Sequence, residues 1–123
     1  MPPHATKTVL LIDDDTHNLE LLGEVLRGEG YAVVCARNGA EALASLLGVS
    51  PNVVMVDYVM PRMDGAATIE MLRAHAATRD ISIIMTSGLP EDLVRPRCGG
   101  YDAFLRKPLD IGHALHTLRS LAS

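Results

Sequence analysis

Short runs of consecutive apolar residues alternate along the chain with longer stretches in which apolar residues recur every three or four positions. The runs "TVLLI" (8–12), "YAVVCA" (31–36), "NVVMV" (52–56), "SIIMT" (82–86) and "AFL" (103–105) have the length and β-branched character of strands. Several are apolar at successive rather than alternate positions, the pattern of parallel strands covered on both faces. The stretches between them read as helices. The first carries Leu19, Leu22, Val25 and Leu26 on one stripe and stops at "GEG" (28–30). The second starts at Asn38, a good N-cap, places Leu43, Leu46 and Leu47 on one side and ends at Gly48 before Pro51. The third runs from 65 to 75 with Ile69 and Leu72 inward and Asp64 as its cap, and the last repeats Ile111, Ala114, Leu115, Leu118 and Leu121 after Asp110. The fourth connection, "LPEDLVRPRCGGYD" (89–102), breaks the regularity. Pro90, Glu91 and Asp92 suit a helix start, but Pro96 is expected to shorten or break that helix within about two turns.

Five strand–helix units predict an α/β fold: a doubly wound, open parallel sheet with right-handed crossovers and helices on both faces. A length of 123 residues with 48% hydrophobic content suffices for one core, so residues 1–123 are expected to form a single domain, with 1–7 a flexible N-terminal segment. The net charge of −4 is spread among interspersed acids and bases, and no basic patch or arm points to nucleic acid. Cys35 and Cys98 lie far apart without metal-type spacing and read as free thiols in a reducing compartment. No stretch has the apolar core of a signal peptide or the length of a membrane span, so a soluble, cytoplasmic protein is expected.

In such folds the site lies beyond the carboxyl ends of the strands, where strand order reverses. The residues placed there are chemically pointed. Asp13 and Asp14 follow the first strand, Asp57 the third, Ser87 and Gly88 the fourth, and Lys107 with Pro108 the fifth. Three carboxylates crowded together repel one another and make a hard-oxygen site suited to Mg²⁺, with Mn²⁺ an acceptable substitute. A carboxylate can also attack phosphorus and become an aspartyl phosphate. The cation, the Lys107 ammonium and the Ser87 hydroxyl would then neutralise and hold the phosphoryl oxygens.

Together, "VLLIDDD", "VMVDYVMPRMDG", "IIMTSG" and "FLRKP", in that order and spanning nearly the whole chain, resemble the receiver domain of two-component response regulators. The resemblance implies a flavodoxin-like (βα)₅ sheet of strand order 2-1-3-4-5. It implies that Asp57 is the phosphoacceptor, taking a phosphoryl group from a sensor histidine kinase or a histidine phosphotransfer protein. It implies a Mg²⁺ site at Asp13, Asp14, Asp57 and the backbone carbonyl of Val59, with Asp14 favoured over Asp13 as a direct ligand. Ser87 would hydrogen-bond the phosphoryl group, beside a Gly88 small enough to leave room, and Lys107 would pair with it through a chain that turns at a cis Lys107–Pro108 bond. Phe104 occupies the aromatic switch position and would follow Ser87 inward on phosphorylation. By this resemblance the protein is a signalling switch rather than an enzyme, catalysing only its own phosphoryl transfer and slow autodephosphorylation. With no DNA-binding segment after Ser123, it is expected to be a stand-alone regulator acting through an unknown protein target, without nucleic acid or membrane, and with homodimerisation left open.

Other residues carry plainer readings. Asp15 is expected to cap the first helix, and Asp64 with Gly65 to form a turn and cap. His113 and His116 share a helical face but lack a third ligand. Met55, Met60 and Met85 read as core filler. Leu21, one turn from His17, lies off the buried stripe and is either ordinary surface or part of the kinase-docking face that the family resemblance implies. Phe104 stands where tyrosine is commoner, so a switch there either works through packing alone or does not toggle. Val59 and Leu89, two positions beyond Asp57 and Ser87, are apolar and are expected to slow water attack on a phosphoryl group. Two rival readings remain. One is a phosphate-independent protein-binding module of the same fold. The other is a haloacid-dehalogenase-type phosphatase with Asp13 as nucleophile, which His17 opposes by standing where threonine or valine is needed.

Overall fold

The computed structural model describes residues 7–59 and 64–122. Along the chain run β1 (Thr8–Ile12), α1 (Thr16–Gly28), β2 (Ala32–Ala36), α2 (Gly39–Ser45), β3 (Val53–Asp57), α3 (Gly65–Ala74), β4 (Ser82–Ser87), α4 (Glu91–Val94), β5 (Ala103–Arg106) and α5 (Ile111–Ala122). All strand pairs are parallel and the sheet order is β2-β1-β3-β4-β5, the flavodoxin-like arrangement expected from the sequence. Strand order reverses at β1, so the crevice beyond the ends of β1 and β3 is the natural place for a site.

The side-chain period of two splits the apolar runs between two cores. Leu10, Ile12, Val54, Val56, Ile83 and Met85 meet Ala42, Ile69, Leu72 and Val94 on the α2–α3–α4 side. Val9, Leu11, Val53, Met55, Ile84 and Leu105 meet Leu19, Leu26, Leu115 and Leu118 on the α1–α5 side. Every residue of β3 is buried, which is why that strand reads as an unbroken apolar run. Met55 and Met85 are core residues as expected; Met60 lies outside the described residues.

The caps follow the sequence closely. The Asp15 carboxylate accepts from the amides of His17 and Asn18 at the start of α1, Asn38 from Glu41 at α2, Asp64 from Ala67 at α3, and Asp110 from His113 at α5. The second helix differs from expectation. It stops at Ser45, whose hydroxyl donates back to the Ala42 carbonyl at 2.7 Å, so Leu46 and Leu47 fall in a turn. Small Ala42 faces the sheet instead, while Leu43 is 40% and Leu47 91% exposed. Of the apolar triplet only Leu46 packs against the core; Leu43 lies on the outer face of the helix and Leu47 beyond its end. The helix ahead of Pro96 is short, as its sequence foretells: α4 is one turn.

Candidate functional site

Asp13 is set by three constraints. Its backbone N–H donates to the Ala36 carbonyl at 3.0 Å, fixing the chain just past β1. One carboxylate oxygen accepts the Asp15 N–H at 3.0 Å, and the other accepts the Lys107 ammonium at 3.0 Å. Asp15, which is exposed, spends its carboxylate on the α1 cap, whereas Asp14, also exposed, sets its carboxylate beside those of Asp13 and Asp57. The three adjacent aspartates thus take three different duties.

Asp57 is the last residue of β3 and only 7% exposed. Its position depends on a glycine across the crevice wall. A Cβ on Gly65 would stand 2.6 Å from the Asp57 carbonyl oxygen and 2.7 Å from the Tyr58 Cα, and the Gly65 N–H donates to the Tyr58 carbonyl at 2.9 Å. No larger residue permits that approach of α3 to the end of β3. The sequence marks Gly65 only as part of a turn, because close approach is a property of the folded chain.

Carboxylate oxygens of Asp13, Asp14 and Asp57 come within 4.8 Å of one another, the one grouping of three or more His, Cys, Asp or Glu side chains of this kind among the described residues. Lys107 lies 3.0 Å from Asp13 and 3.4 Å from Asp57, and the Lys107–Pro108 bond is cis. Burial pushes the Asp57 carboxyl up to about 6; the Asp13 charge pushes the same way, and Lys107 with the Val59 N–H pulls back without winning. Burial opposes the Lys107 charge, but its bond to Asp13 and the charges of Asp57 and Asp13 outweigh that and raise its pKa. Three clustered acids therefore face one ammonium, which pairs with two of them, Asp13 and Asp57. An all-oxygen donor set with uncompensated negative charge fits a hard divalent cation.

Ser87 ends β4 beside Asp57, whose register partner is Thr86. It is fully buried, and its hydroxyl oxygen accepts the Leu89 N–H at 2.9 Å. Gly88 has nothing within 4 Å of an added Cβ, so the space beside it is open. Val59 and Leu89 are both exposed beside this crevice. Phe104, paired with Met85, is half-buried against the α3–α4 core and does not belong to the carboxylate cluster. His113 and His116 are exposed on α5 and join no such group. Cys35 is exposed and Cys98 buried; both are free, and burial raises the pKa of each thiol.

A cleft of about 640 Å³ opens between α1 and the β5–α5 connection, walled by Leu21, Leu22, Val25, Leu109 and Ile111 and reaching Asp13 and Lys107. Its outer lip is apolar, with Leu21 51% and Ile111 42% exposed. Sequence reasoning missed two further residues. Arg73 on α3 donates to the carbonyls of Gly100, Arg79 and Ile81 and pairs with Asp102 at 3.0 Å. Asp102 in turn accepts the Ile83 N–H at 2.8 Å, fixing the entry to β5.

A doubly wound parallel sheet with an acidic crevice at its switch point, faced by one lysine from the last strand's loop, defines the class of domain. The chain belongs to the response regulator receiver domain family, whose sequence model matches residues 9–119. It is 26% identical over 117 residues to the polar-differentiation response regulator DivK of Brucella ovis, covering 94% of this chain and 95% of that protein. It superposes with a TM-score of 0.87 and 30% identity on the signal receiver domain of a signal transduction histidine kinase from Syntrophus aciditrophicus, covering 95% of this chain and 90% of that one. The response regulator TrrA of Thermotoga maritima, solved in complex with Mg²⁺ and BeF, matches with a TM-score of 0.84 and 26% identity over 94% of this chain and 99% of its own. Receiver domains are phosphorylation switches of two-component signalling rather than ordinary enzymes. They bind Mg²⁺ in the acidic pocket and interact with histidine kinases and phosphotransfer proteins. No described helix is long and apolar enough to cross a membrane.

Proposed function

We propose that Asp57 is the phosphoacceptor of this receiver domain, that Asp13, Asp14, Asp57 and the Val59 carbonyl hold Mg²⁺, and that the domain is one folded unit working in the cytoplasm. The observation that carries this reading is the cluster of three carboxylates, one of them buried at the end of β3, against a single ammonium that pairs with two of them, Asp13 and Asp57. An oxygen of Asp57 attacks the phosphorus of a phosphohistidine on a kinase or phosphotransfer protein. The P–N bond breaks, its electron pair returns to the imidazole nitrogen, and that nitrogen takes up a proton. The cation supplies charge neutralisation for the transferred oxygens. Lys107 supplies a second positive charge at one flank, and the Ser87 hydroxyl, already fixed as an acceptor from Leu89, keeps its proton to donate. Asp13 suits a supporting role rather than nucleophilic attack, since both its oxygens are engaged.

The apolar cleft beside α1, with Leu21 and Ile111 at its lip, supports docking of the phosphodonor on this side, within reach of Asp57. Phosphorylation then acts through Ser87 and Phe104 to alter contacts with a downstream protein. Val59 and Leu89 shield the phosphoryl group and slow its hydrolysis.

The test is intact mass after incubation with Mg²⁺ and a small acyl phosphate. One added phosphoryl group is expected, absent without Mg²⁺ and in Asp57→Asn, and lost faster from Val59→Asn than from the parent. No adduct on a folded, Mg²⁺-binding protein would favour the phosphate-independent binding module. A label kept in Asp57→Asn but lost in Asp13→Asn would favour the phosphatase reading.

A further inference from the structure

Helix α4 is too short to hold itself. Four residues cannot offset the cost of nucleating a helix, and Pro90 provides no side-chain cap. Its core anchor is Val94, which is fully buried. The other end of this turn is held from outside. The Tyr101 hydroxyl donates to the Glu91 carboxylate at 2.9 Å. Glu91 also pairs with Arg95 one turn on, and the Arg95 guanidinium lies 5.9 Å from the centroid of the Tyr101 ring. Glu91, Arg95 and Tyr101 thus form a closed triangle around the first turn of α4.

The same tyrosine touches the aromatic at 104. The two rings stand 6.0 Å apart at 50°, a tilted arrangement within the range of favourable aromatic pairs. Phe104 has no hydroxyl with which to reach α4 or the β4–α4 loop. Tyr101 brings one to the same neighbourhood, three residues upstream and outside the strand.

We infer that Tyr101 is the coupling element between the ring of Phe104 and α4: its ring rests on Phe104 while its hydroxyl tethers Glu91, so that displacement of Phe104 withdraws the tether and loosens residues 91–98. This rests on the phosphoacceptor reading of Asp57, which supplies the event that moves Phe104. The consequence is a switch whose output is the release of one helical turn. Packing moves at position 104, a hydrogen bond breaks at position 101, and a segment otherwise anchored in the core by Val94 and Cys98 opens to solvent.

The test is hydrogen exchange on the full chain, with and without Mg²⁺ and acyl phosphate, in the parent and in Tyr101→Phe, which keeps the ring. The reporters are the Arg95 amide, bonded to the Glu91 carbonyl at 2.8 Å, and the Cys98 amide, bonded to the Val94 carbonyl at 3.0 Å. In the parent, phosphorylation should speed their exchange about tenfold, the worth of one hydrogen bond to a charged group. In Tyr101→Phe the exchange should already be that fast before phosphorylation, and phosphorylation should add nothing. A tyrosine that merely braces the fold would raise exchange by one factor in both states, and that result overturns the coupling, as does an unchanged rate in the variant. Phosphoryl incorporation is read by mass in the same samples. A chain that takes the group but leaves residues 91–98 unmoved defeats the coupling alone. A chain that takes no group defeats the phosphoacceptor reading and the coupling with it.

Discussion

The two walls of the acidic crevice are built by opposite means. On the β3–α3 side, Asp57 ends a strand buried at every position, and the helix behind it comes so close that only glycine fits at position 65. On the β4–α4–β5 side, the chain beyond Ser87 is held by side chains: Arg106 donates to the Gly88 carbonyl at 2.8 Å, and Tyr101 reaches Glu91. Backbone packing leaves no alternative arrangement of similar energy, whereas single hydrogen bonds can be exchanged at a cost of about 1–2 kcal/mol. The first wall therefore suits a nucleophile that must not move. The second suits an element that must.

The sharpest way to break this contrast is to add one methyl group to each wall. Gly65→Ala should destabilise the domain by about 2–3 kcal/mol, since its Cβ would meet backbone atoms that cannot swing aside. Gly88→Ala should change stability by less than about 0.5 kcal/mol, because nothing lies within 4 Å of the added atom. Urea denaturation of the two variants measures both. Equal losses would mean that the walls are equally rigid and that the contrast is mistaken.

The link between the walls is Arg73, which leaves α3 to bind the Gly100 carbonyl and Asp102 at the entry to β5. Arg73→Ala strips partners from several carbonyls at once and leaves Asp102 with one fewer cation. A loss of about 2 kcal/mol is expected, read as a lower urea midpoint with unchanged slope. A change within about 0.5 kcal/mol would mean that the walls are joined through the sheet alone.

How much of this was legible in the sequence follows from the same contrast. The strands, the caps at Asp15, Asn38 and Asp64, and the convergence of Asp13, Asp14, Asp57 and Lys107 are written as local patterns: apolar runs, polar residues at helix starts, charges at strand ends. Pro96 likewise announced the shortness of α4. What stayed hidden depends on which residues meet after folding. Gly65 looks like any turn glycine until the end of β3 is placed against it. Tyr101 looks like loop filler until Glu91 and Phe104 are brought beside it from either side in sequence. Leu43 and Leu47 erred in the other direction: Ala42, not Leu43, takes the face of α2 turned to the sheet, and Leu47 falls past the helix end.

The smallest expected effect tests the charge of the fixed wall. The Asp57 carboxyl is raised from 3.8 to about 6, so the folded protein holds that proton more tightly than the unfolded chain does. A raised carboxyl contributes stability that is fully present below pH 3.8 and lost as pH rises through about 6. Without divalent ions, the parent should therefore weaken relative to Asp57→Asn as pH climbs from 4 to 6, by about 1–2 kcal/mol after allowance for solvent screening, and the difference should level off above pH 7. Working with the difference between the two proteins cancels the titration of other groups. Added Mg²⁺ should close the gap at neutral pH in the parent, because a cation bound to the folded state offsets the repulsion that the buried carboxylate suffers. A gap that is flat with pH would mean that Lys107 alone neutralises Asp57, and the case for a shared cation at the three aspartates would lose its electrostatic basis.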